Sequence, residues 1–364
     1  MPKSTDPRFY TNELLSEGLV PAAGARVLAL GVAAQVVAGW AAAVGPTGLV
    51  VAVEHWLPGW RALEVERERT PELPLRTLFT ATLPDDATDF DVVAVDITSY
   101  PSNRALLAIV HSGAERLKPA GLLYAAGPKD AGILSFTHRM ERLLGNAEPQ
   151  AYRKGQRIVV ARRTGEVTPL ALEDESPTFT LAIGDQQFEM VRAPGVFAKG
   201  ALDPATEMLI DALVIKAGDR VLDLGCGAGI VGMVAARRAA DVQVTMTDAD
   251  AYALDAARAN CAHNGITAAI HAADVVDAIA KQRFTVVACN PPFHQRHESS
   301  GELGLRFMRA AHGALSPGGR AYFVANRFLA YESKLKELFG EVTEVAGDDR
   351  YKVLAVTKKA PAGG

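Results

Sequence analysis

The two halves of this 364-residue chain repeat one another at a nearly constant offset, and this constrains the fold more than any other feature. Arg26-Val-Leu-Ala-Leu-Gly31 reads against Arg220-Val-Leu-Asp-Leu-Gly225, 194 residues later. Glu54, after Leu49-Val-Val-Ala-Val, falls opposite Asp248 at the same offset, and Phe90-Asp-Val-Val-Ala-Val-Asp96 falls opposite Phe284-Thr-Val-Val-Ala-Cys-Asn290. Leu117-Lys-Pro-Ala-Gly121 then matches Leu315-Ser-Pro-Gly-Gly319, the offset having grown to 198 through a short insertion, and Tyr152 pairs with Tyr351. Landmarks in one order at one spacing mean a tandem duplication of a single domain. In each copy, short apolar runs end in turn signals and precede helix-like segments, the pattern of βα units on a mostly parallel sheet buried on both faces. The expected fold is therefore α/β, two tandem Rossmann-like domains over residues 1–165 and 179–364, joined by a Pro- and acid-rich linker at 166–178. Just past the linker, Phe179-Thr-Leu-Ala-Ile and Gln187-Phe-Glu-Met-Val flank Gly184-Asp185 and read as a β-hairpin.

Composition narrows the function classes. Hydrophobic residues make up 49% and charged residues 22% of the chain, the balance of a globular protein. Its most apolar stretch, Val27 to Val53, is interrupted by five glycines and prolines, so no membrane span is expected. The amino-terminal residues lack a signal-peptide pattern, which points to the cytoplasm. The three cysteines, Cys226, Cys261 and Cys289, are odd in number and widely spaced, suggesting neither disulfides nor a metal site. The net charge is −4, but it is unevenly distributed: residues 1–165 hold 18 Lys+Arg against 17 Asp+Glu, and the remainder 20 against 25. Arg153, Lys154, Arg157, Arg162 and Arg163 cluster in the last strand region of the first copy, Tyr152–Arg163. They are either a solvated strand edge or an RNA-docking patch.

The second copy carries the chemistry. Val221-Leu-Asp-Leu runs into Gly225-Cys226-Gly227-Ala-Gly229, a strand followed by a glycine turn through which the backbone can approach a ligand closely. Nicotinamide enzymes share that turn. Three carboxylates favour S-adenosylmethionine. Asp223 at the strand end can hold a methionine ammonium. Asp248, followed by Ala249 at the end of the next strand, can accept both ribose hydroxyls. Asp274, with Ala273 before it, lies where the third strand ends, within reach of an adenine amine. The set resembles the class I methyltransferase pattern. In the first copy Asp223 becomes Ala29, Gly227 becomes Ala33 and Gly229 becomes Gln35, so that domain is expected to bind no cofactor.

The fourth strand ends in Asn290-Pro291-Pro292-Phe293. The prolines hold the Pro291 carbonyl rigidly beside the Asn290 side-chain oxygen. Together these oxygens can accept both hydrogens of a planar amine, aim its lone pair, and so activate a weak nucleophile without a strong base. Phe293 can stack on the ring, and Asn290 also borders the cofactor. The first copy has Asp96-Ile-Thr-Ser99 here, which cannot do this.

Ala193-Pro-Gly-Val-Phe197, Leu202-Asp203, Val221–Gly229, Asp248, Asn264-Gly265, Asn290-Pro-Pro-Phe-His294, Gly318-Gly319, Val324-Ala-Asn326-Arg-Phe-Leu-Ala-Tyr331 and Tyr351-Lys-Val353 resemble the RsmC family, bacterial 16S ribosomal RNA guanine-N2 methyltransferases. The resemblance covers about Phe179 to Lys359 and implies an inactive amino-terminal methyltransferase-like domain. It implies S-adenosylmethionine as cofactor, and as substrate the N2 amine of a helix 34 guanosine in ribosomal RNA or the small subunit. Phe197, Lys199 and Phe293 would then line the substrate pocket, although Lys199-Gly-Ala departs from the family's Arg-Asp-Gly and Pro204-Ala-Thr from its Val-Gly-Ser. A base must leave its stack to reach such a pocket. No metal or membrane partner is expected, and a monomer is. The competing readings are methylation of another amino group (a different rRNA guanine, DNA adenine or protein glutamine), a non-enzymatic RNA-binding assembly factor, and a nicotinamide oxidoreductase. The intact Asp223, glycines, Asp248 and Asn290 oppose the second; Asn290-Pro-Pro-Phe293 opposes the third.

Overall fold

A computed structural model of the chain describes residues 9–169, 177–193, 201–275, 277, 281–291 and 300–360. The chain divides into two compact units, residues 1–175 and 176–364. The first opens with α1 (Phe9–Gly18), followed by β1 (Arg26–Leu30), α2 (Ala34–Val44), β2 (Leu49–Glu54), α3 (Leu57–Arg69), β3 (Leu75–Phe79), β4 (Phe90–Asp96), α4 (Asn103–Glu115), β5 (Leu117–Pro128), α5 (Ile133–Leu144), β6 (Glu148–Arg153) and β7 (Gln156–Arg162). A hairpin of β8 (Thr178–Ile183) and β9 (Gln186–Val191) precedes the second copy. That copy comprises α6 (Pro204–Ala212), β10 (Arg220–Leu224), α7 (Ile230–Arg238), β11 (Gln243–Asp248), α8 (Ala251–His263), β12 (Ala269–Ala272), β13 (Phe284–Cys289), α9 (Ser300–Ala314), β14 (Leu315–Asn326), α10 (Tyr331–Phe339), β15 (Thr343–Gly347) and β16 (Tyr351–Thr357).

The two seven-stranded sheets have one topology. Their orders are β3-β2-β1-β4-β5-β7-β6 and β12-β11-β10-β13-β14-β16-β15. Neighbours are parallel except for β7 and β16, which run antiparallel to both strands beside them. The duplication therefore extends to α1 and α6, helices that precede the first glycine turn in each copy and pack on the antiparallel end of their own sheet.

Period-2 alternation builds the core of the second unit. Val221, Val286, Ala288, Val324 and Val353 face a cluster that includes Leu209 of α6, Val234 of α7 and Ala257 of α8. Leu222, Leu224, Val287, Cys289, Phe323 and Leu354 face the opposite cluster, with Leu303 of α9 and Leu335 of α10. With helices on both faces, the strands are largely apolar, the buried threonines Thr245 and Thr247 of β11 being exceptions.

One sequence reading needs correction. Tyr152–Arg163 is two antiparallel strands, not one, because Lys154 and Gly155 both take positive φ (47° and 84°) and close a two-residue turn. A primed turn needs that backbone at both central positions, and Lys-Gly advertises it less than Asn-Gly does. The hairpin expected around Gly184-Asp185 forms, with Gly184 at φ 57°. Its edge is held on α8, where Asn260 Oδ1 accepts from Val191 N at 2.7 Å and Asn264 exchanges hydrogen bonds with both Glu189 backbone groups.

Candidate active site

The carboxyl ends of β12, β11, β10 and β13 lie side by side, in that order. They carry Asp274, Asp248, Asp223 with Gly225, and Asn290. Three strand spacings span roughly 14 Å, a row long enough for an adenosine joined to an amino acid.

The glycines of the β10–α7 turn are needed for three different reasons. Gly225, at φ 76°, packs so close that a Cβ would sit 3.1 Å from the Phe307 ring. A Cβ on Gly229 (φ 82°) would sit 3.0 Å from Met246 Sδ. Gly227 (φ 52°) has no neighbour among the described residues within 4 Å of where a Cβ would sit, and its positive φ suits glycine. The turn is drawn over β11, as Gly225 N and Cys226 N both donate to Thr247 O at 2.9 Å. Asp248 Oδ2 accepts from Gly227 N at 2.9 Å, and its Oδ1 accepts from Asp250 N at 3.0 Å. Ala273 N donates to Asp248 O, tying the end of β12 to that of β11.

Asp223 is 2% exposed, and its Oδ2 accepts from Gly232 N at 2.9 Å. Burial raises its pKa to about 7, a shift opposed by the Gly232 amide and reinforced by the Asp248 charge. Burial likewise raises Asp248 to about 6, against the amides of Gly227 and Asp250. Both therefore lie poised near neutrality. The same burial pushes the Cys226 and Cys289 thiols well above their ordinary value, so they pack as small apolar groups.

Asp274 has a partner that the sequence reading missed: both its oxygens accept from one terminal nitrogen of Arg306 on α9, each at 2.9 Å. Asn290 also has partners unforeseen from the sequence. Its Nδ2 donates to Thr206 Oγ1 at 2.9 Å and to Asp203 Oδ2 at 3.2 Å. Its Oδ1 is buried and accepts no hydrogen bond from the described residues. Pro291 is buried beside it. Pro292, Phe293, Phe197 and Lys199 lie outside the described residues.

The first unit shows how such a site closes. Only Gly31 of its turn keeps a positive φ, and α2 begins at Ala34, two residues early relative to α7. A Cβ on Gly31 would meet Ser99 Cβ at 2.4 Å. Ser99 Oγ donates to Gly31 O at 2.6 Å, His55 Nε2 lies 2.6 Å from Ser99 O, and Tyr100 packs on the His55 ring at 5.3 Å. The loop after β4 is thus packed onto Gly31, the counterpart of Gly225. Glu54 Oε1 accepts from the His55 and Trp56 amides instead.

The five basic residues of the β6–β7 hairpin do not form one patch. Arg153 pairs with Glu17 at 3.0 Å, the Lys154 amine sits 4.3 Å over the Tyr10 ring, and Arg157 lies 5.2 Å from the ring of Tyr152, which is 66% exposed. At the far end, Arg162 donates to Ala120 O, and Arg163 donates to the carbonyls of Glu115 and Leu117. Lys358 holds the matching carbonyls of His312 and Leu315 in the second copy. Arg163 therefore caps a helix end, a structural role common to both units.

This strand order, with a glycine turn between the buried Asp223 and the half-buried Asp248 and an asparagine ending the fourth strand, defines a class I S-adenosylmethionine-dependent methyltransferase domain. The residues fit that cofactor. No described residue lies in front of Gly227, Asp248 presents acceptors where a ribose would lie, and Asp223 can gain charge beside an ammonium. Residues 187–355 match the family model described as Methyltransferase small domain. The chain is 32% identical over 275 residues to the Ribosomal RNA small subunit methyltransferase C of Shewanella amazonensis, covering 74% of this chain and 78% of that protein. It is 36% identical over 163 residues to its Haemophilus influenzae namesake, covering 45% of this chain and 49% of that protein. The chain belongs to the ribosomal RNA small subunit methyltransferase C family. Among solved structures, the Thermus thermophilus 16S rRNA N2 G1207 methyltransferase (RsmC), in complex with AdoMet and guanosine, superposes with a TM-score of 0.82 at 26% identity, over 98% of this chain and 94% of that one. Among the described residues no helix is long and apolar enough to cross a membrane.

Where Asp223 takes the cofactor ammonium, the raised carboxyls are expected to make cofactor binding pH-dependent. In the ligand-free protein Asp223 is protonated below about 7 and Asp248 below about 6. An ammonium favours the ionised carboxylate, so binding must expel the proton. Affinity for S-adenosylmethionine is expected to rise with pH between 5 and 8, by about tenfold per unit where one carboxylate is titrating. Calorimetry in two buffers of different ionisation heat would read the released proton. Affinity that stays flat across this range would refute the coupling.

Proposed function

We propose that the protein methylates the exocyclic N2 amine of a guanosine in small-subunit ribosomal RNA, the helix 34 guanosine equivalent to G1207. Asn290 is the observation that carries this reading. Its amide nitrogen is held by Asp203 and Thr206, leaving Oδ1 as a buried acceptor without a described donor. Such an acceptor suits a hydrogen of a planar amine, and the adjoining Pro291 carbonyl suits the other. S-adenosylmethionine, when bound, supplies an electrophilic methyl group. The row of Asp274, Asp248 and Asp223 holds the cofactor in this reading, with Cys226, Ala249 and Ala273 lining it, and Asn290 orients the amine and strips it of water. Phe197, Lys199 and Phe293 complete the substrate pocket. Guanine is favoured over adenine or glutamine by the similarity to the Thermus thermophilus 16S rRNA N2 G1207 methyltransferase, which superposes over nearly the whole chain. Lys154, over the Tyr10 ring, and Arg157, stacked on the exposed Tyr152, are the docking residues that the amino-terminal domain offers to RNA. The protein acts in the cytoplasm as a monomer, one chain supplying both domains.

The test is to incubate the protein with tritiated S-adenosylmethionine and either small subunits or naked 16S rRNA from a strain lacking this methylation, then map the label. Label is expected on one guanosine N2. Label on adenine or on protein would redirect the assignment, and no transfer to any RNA would remove it.

A further inference from the structure

We propose that Asp203 and Thr206 are positioning residues for the transfer, setting which end of the Asn290 carboxamide faces the substrate. The inference rests on Asn290 acting as the amine acceptor. A carboxamide is nearly symmetric in shape, so packing alone selects poorly between its two orientations, whereas only the orientation with oxygen inward accepts from an amine. Asp203 Oδ2 accepts from Thr206 N and Thr206 Oγ1, both at 3.1 Å. With its hydroxyl proton committed to Asp203, Thr206 Oγ1 can offer Asn290 only a lone pair, and it receives Nδ2 at 2.9 Å. Asp203, an ionised acceptor, receives the same Nδ2 at 3.2 Å. Two groups that can only accept thus meet the nitrogen, and a flipped carboxamide would set its oxygen against both.

The degenerate copy supports a functional origin. Its α1 packs on β5, β6 and β7 as α6 packs on β14, β15 and β16. At the 194-residue offset the positions of Asp203 and Thr206 are Phe9 and Asn12, and that of Asn290 is Asp96. The fold persists without the three residues, and they are absent together.

The test is a cycle of D203N, N290A and D203N/N290A in the full-length protein, read as single-turnover methylation of unmodified 16S rRNA. Asparagine caps a helix as well as aspartate does, so α6 stays capped in D203N. D203N is expected to lower kcat about tenfold, leaving the KM for RNA and the cofactor Kd unchanged. In the N290A background the same substitution is expected to cost nothing further. Losses that multiply, or a D203N enzyme with wild-type kcat, would overturn the proposal, because a role confined to the helix slows both backgrounds. A second arm needs no activity. The Asn290 carboxamide resonances of ¹⁵N-labelled protein, identified by their absence from N290A, are expected to exchange slowly with solvent in the wild type and quickly in D203N. Unchanged exchange would overturn the proposal. If the wild type labels no RNA, the guanine assignment fails, and the carboxamide exchange still decides the positioning.

Discussion

Replacing Asn290 with alanine is expected to slow methyl transfer on the order of 10²–10³-fold, about 3–4 kcal/mol of barrier, while the cofactor still binds. An exocyclic amine is a weak nucleophile because its lone pair is delocalised into the ring. A fixed acceptor helps by favouring the pyramidal geometry in which that pair is free, and it acts fully only as the amine begins to react. Asn290 Oδ1 is suited to this because it is buried, without a described donor, and cannot turn away while Nδ2 is held by Asp203 and Thr206. The alanine variant keeps the glycine turn, Asp223 and Asp248, so equilibrium dialysis should find cofactor affinity retained and single-turnover assays should find the loss in kcat. An N290A enzyme that transfers at the wild-type rate would exclude Asn290 from the chemistry. One that loses the cofactor equally would make it a binding residue.

Asp223→Asn is expected to weaken cofactor binding on the order of 10²-fold, since it removes one partner of a buried charge pair, while raising the melting temperature of the ligand-free protein above pH 7. The two effects share a cause. The wild-type carboxyl is buried against the Gly232 amide, with its pKa raised to about 7. A carboxyl whose folded-state pKa is raised contributes stability that is fully present below its unfolded value and lost as pH climbs through the folded one. At pH 8 the ligand-free wild type therefore carries an ionised carboxylate that the fold disfavours, and asparagine, isosteric with the protonated acid, removes it while still accepting from Gly232. At pH 5 the two proteins should melt alike. Thermal scans at pH 5 and pH 8, with and without cofactor, would check this. A variant less stable than the wild type at pH 8 would mean that the Asp223 charge is compensated within the protein itself.

Most of the cofactor side was legible in the sequence because its determinants are local. Glycines at fixed spacing, a carboxylate inside a strand end and another closing the next strand each follow from a few consecutive residues, and the parallel sheet then aligns them. The partners of those residues were not legible. Arg306 reaches Asp274 from α9, 32 positions away, and Asp203 reaches Asn290 from α6, 87 positions away. Asp203-Pro-Ala-Thr206 reads from sequence as a helix start with proline in its first turn, and it is one. That the cap also receives the Asn290 amide follows only from where α6 crosses the sheet. The basic run at Arg153–Arg163 reads as one cluster in sequence, and a two-residue turn divides it, with Arg163 held on the carbonyls at the end of α4 as its counterpart Lys358 is held on those at the end of α9.

The sequence by itself determined the duplication, the strand-and-helix alternation and which copy kept its chemistry, since each is written in residue type and spacing along the chain. Two things were decided only in three dimensions. The first copy is closed as well as degenerate: Ser99, Tyr100 and His55 come from two separate loops that the sheet order brings together over Gly31. Asn290 has a defined orientation as well as a suitable side chain, because α6 and its cap, Asp203, 87 residues earlier, carry the only two described groups that accept from its nitrogen. The physical reason is the same in both cases. Backbone geometry is set by neighbours in sequence, whereas the burial and partners of a side chain depend on which distant elements the sheet places beside it.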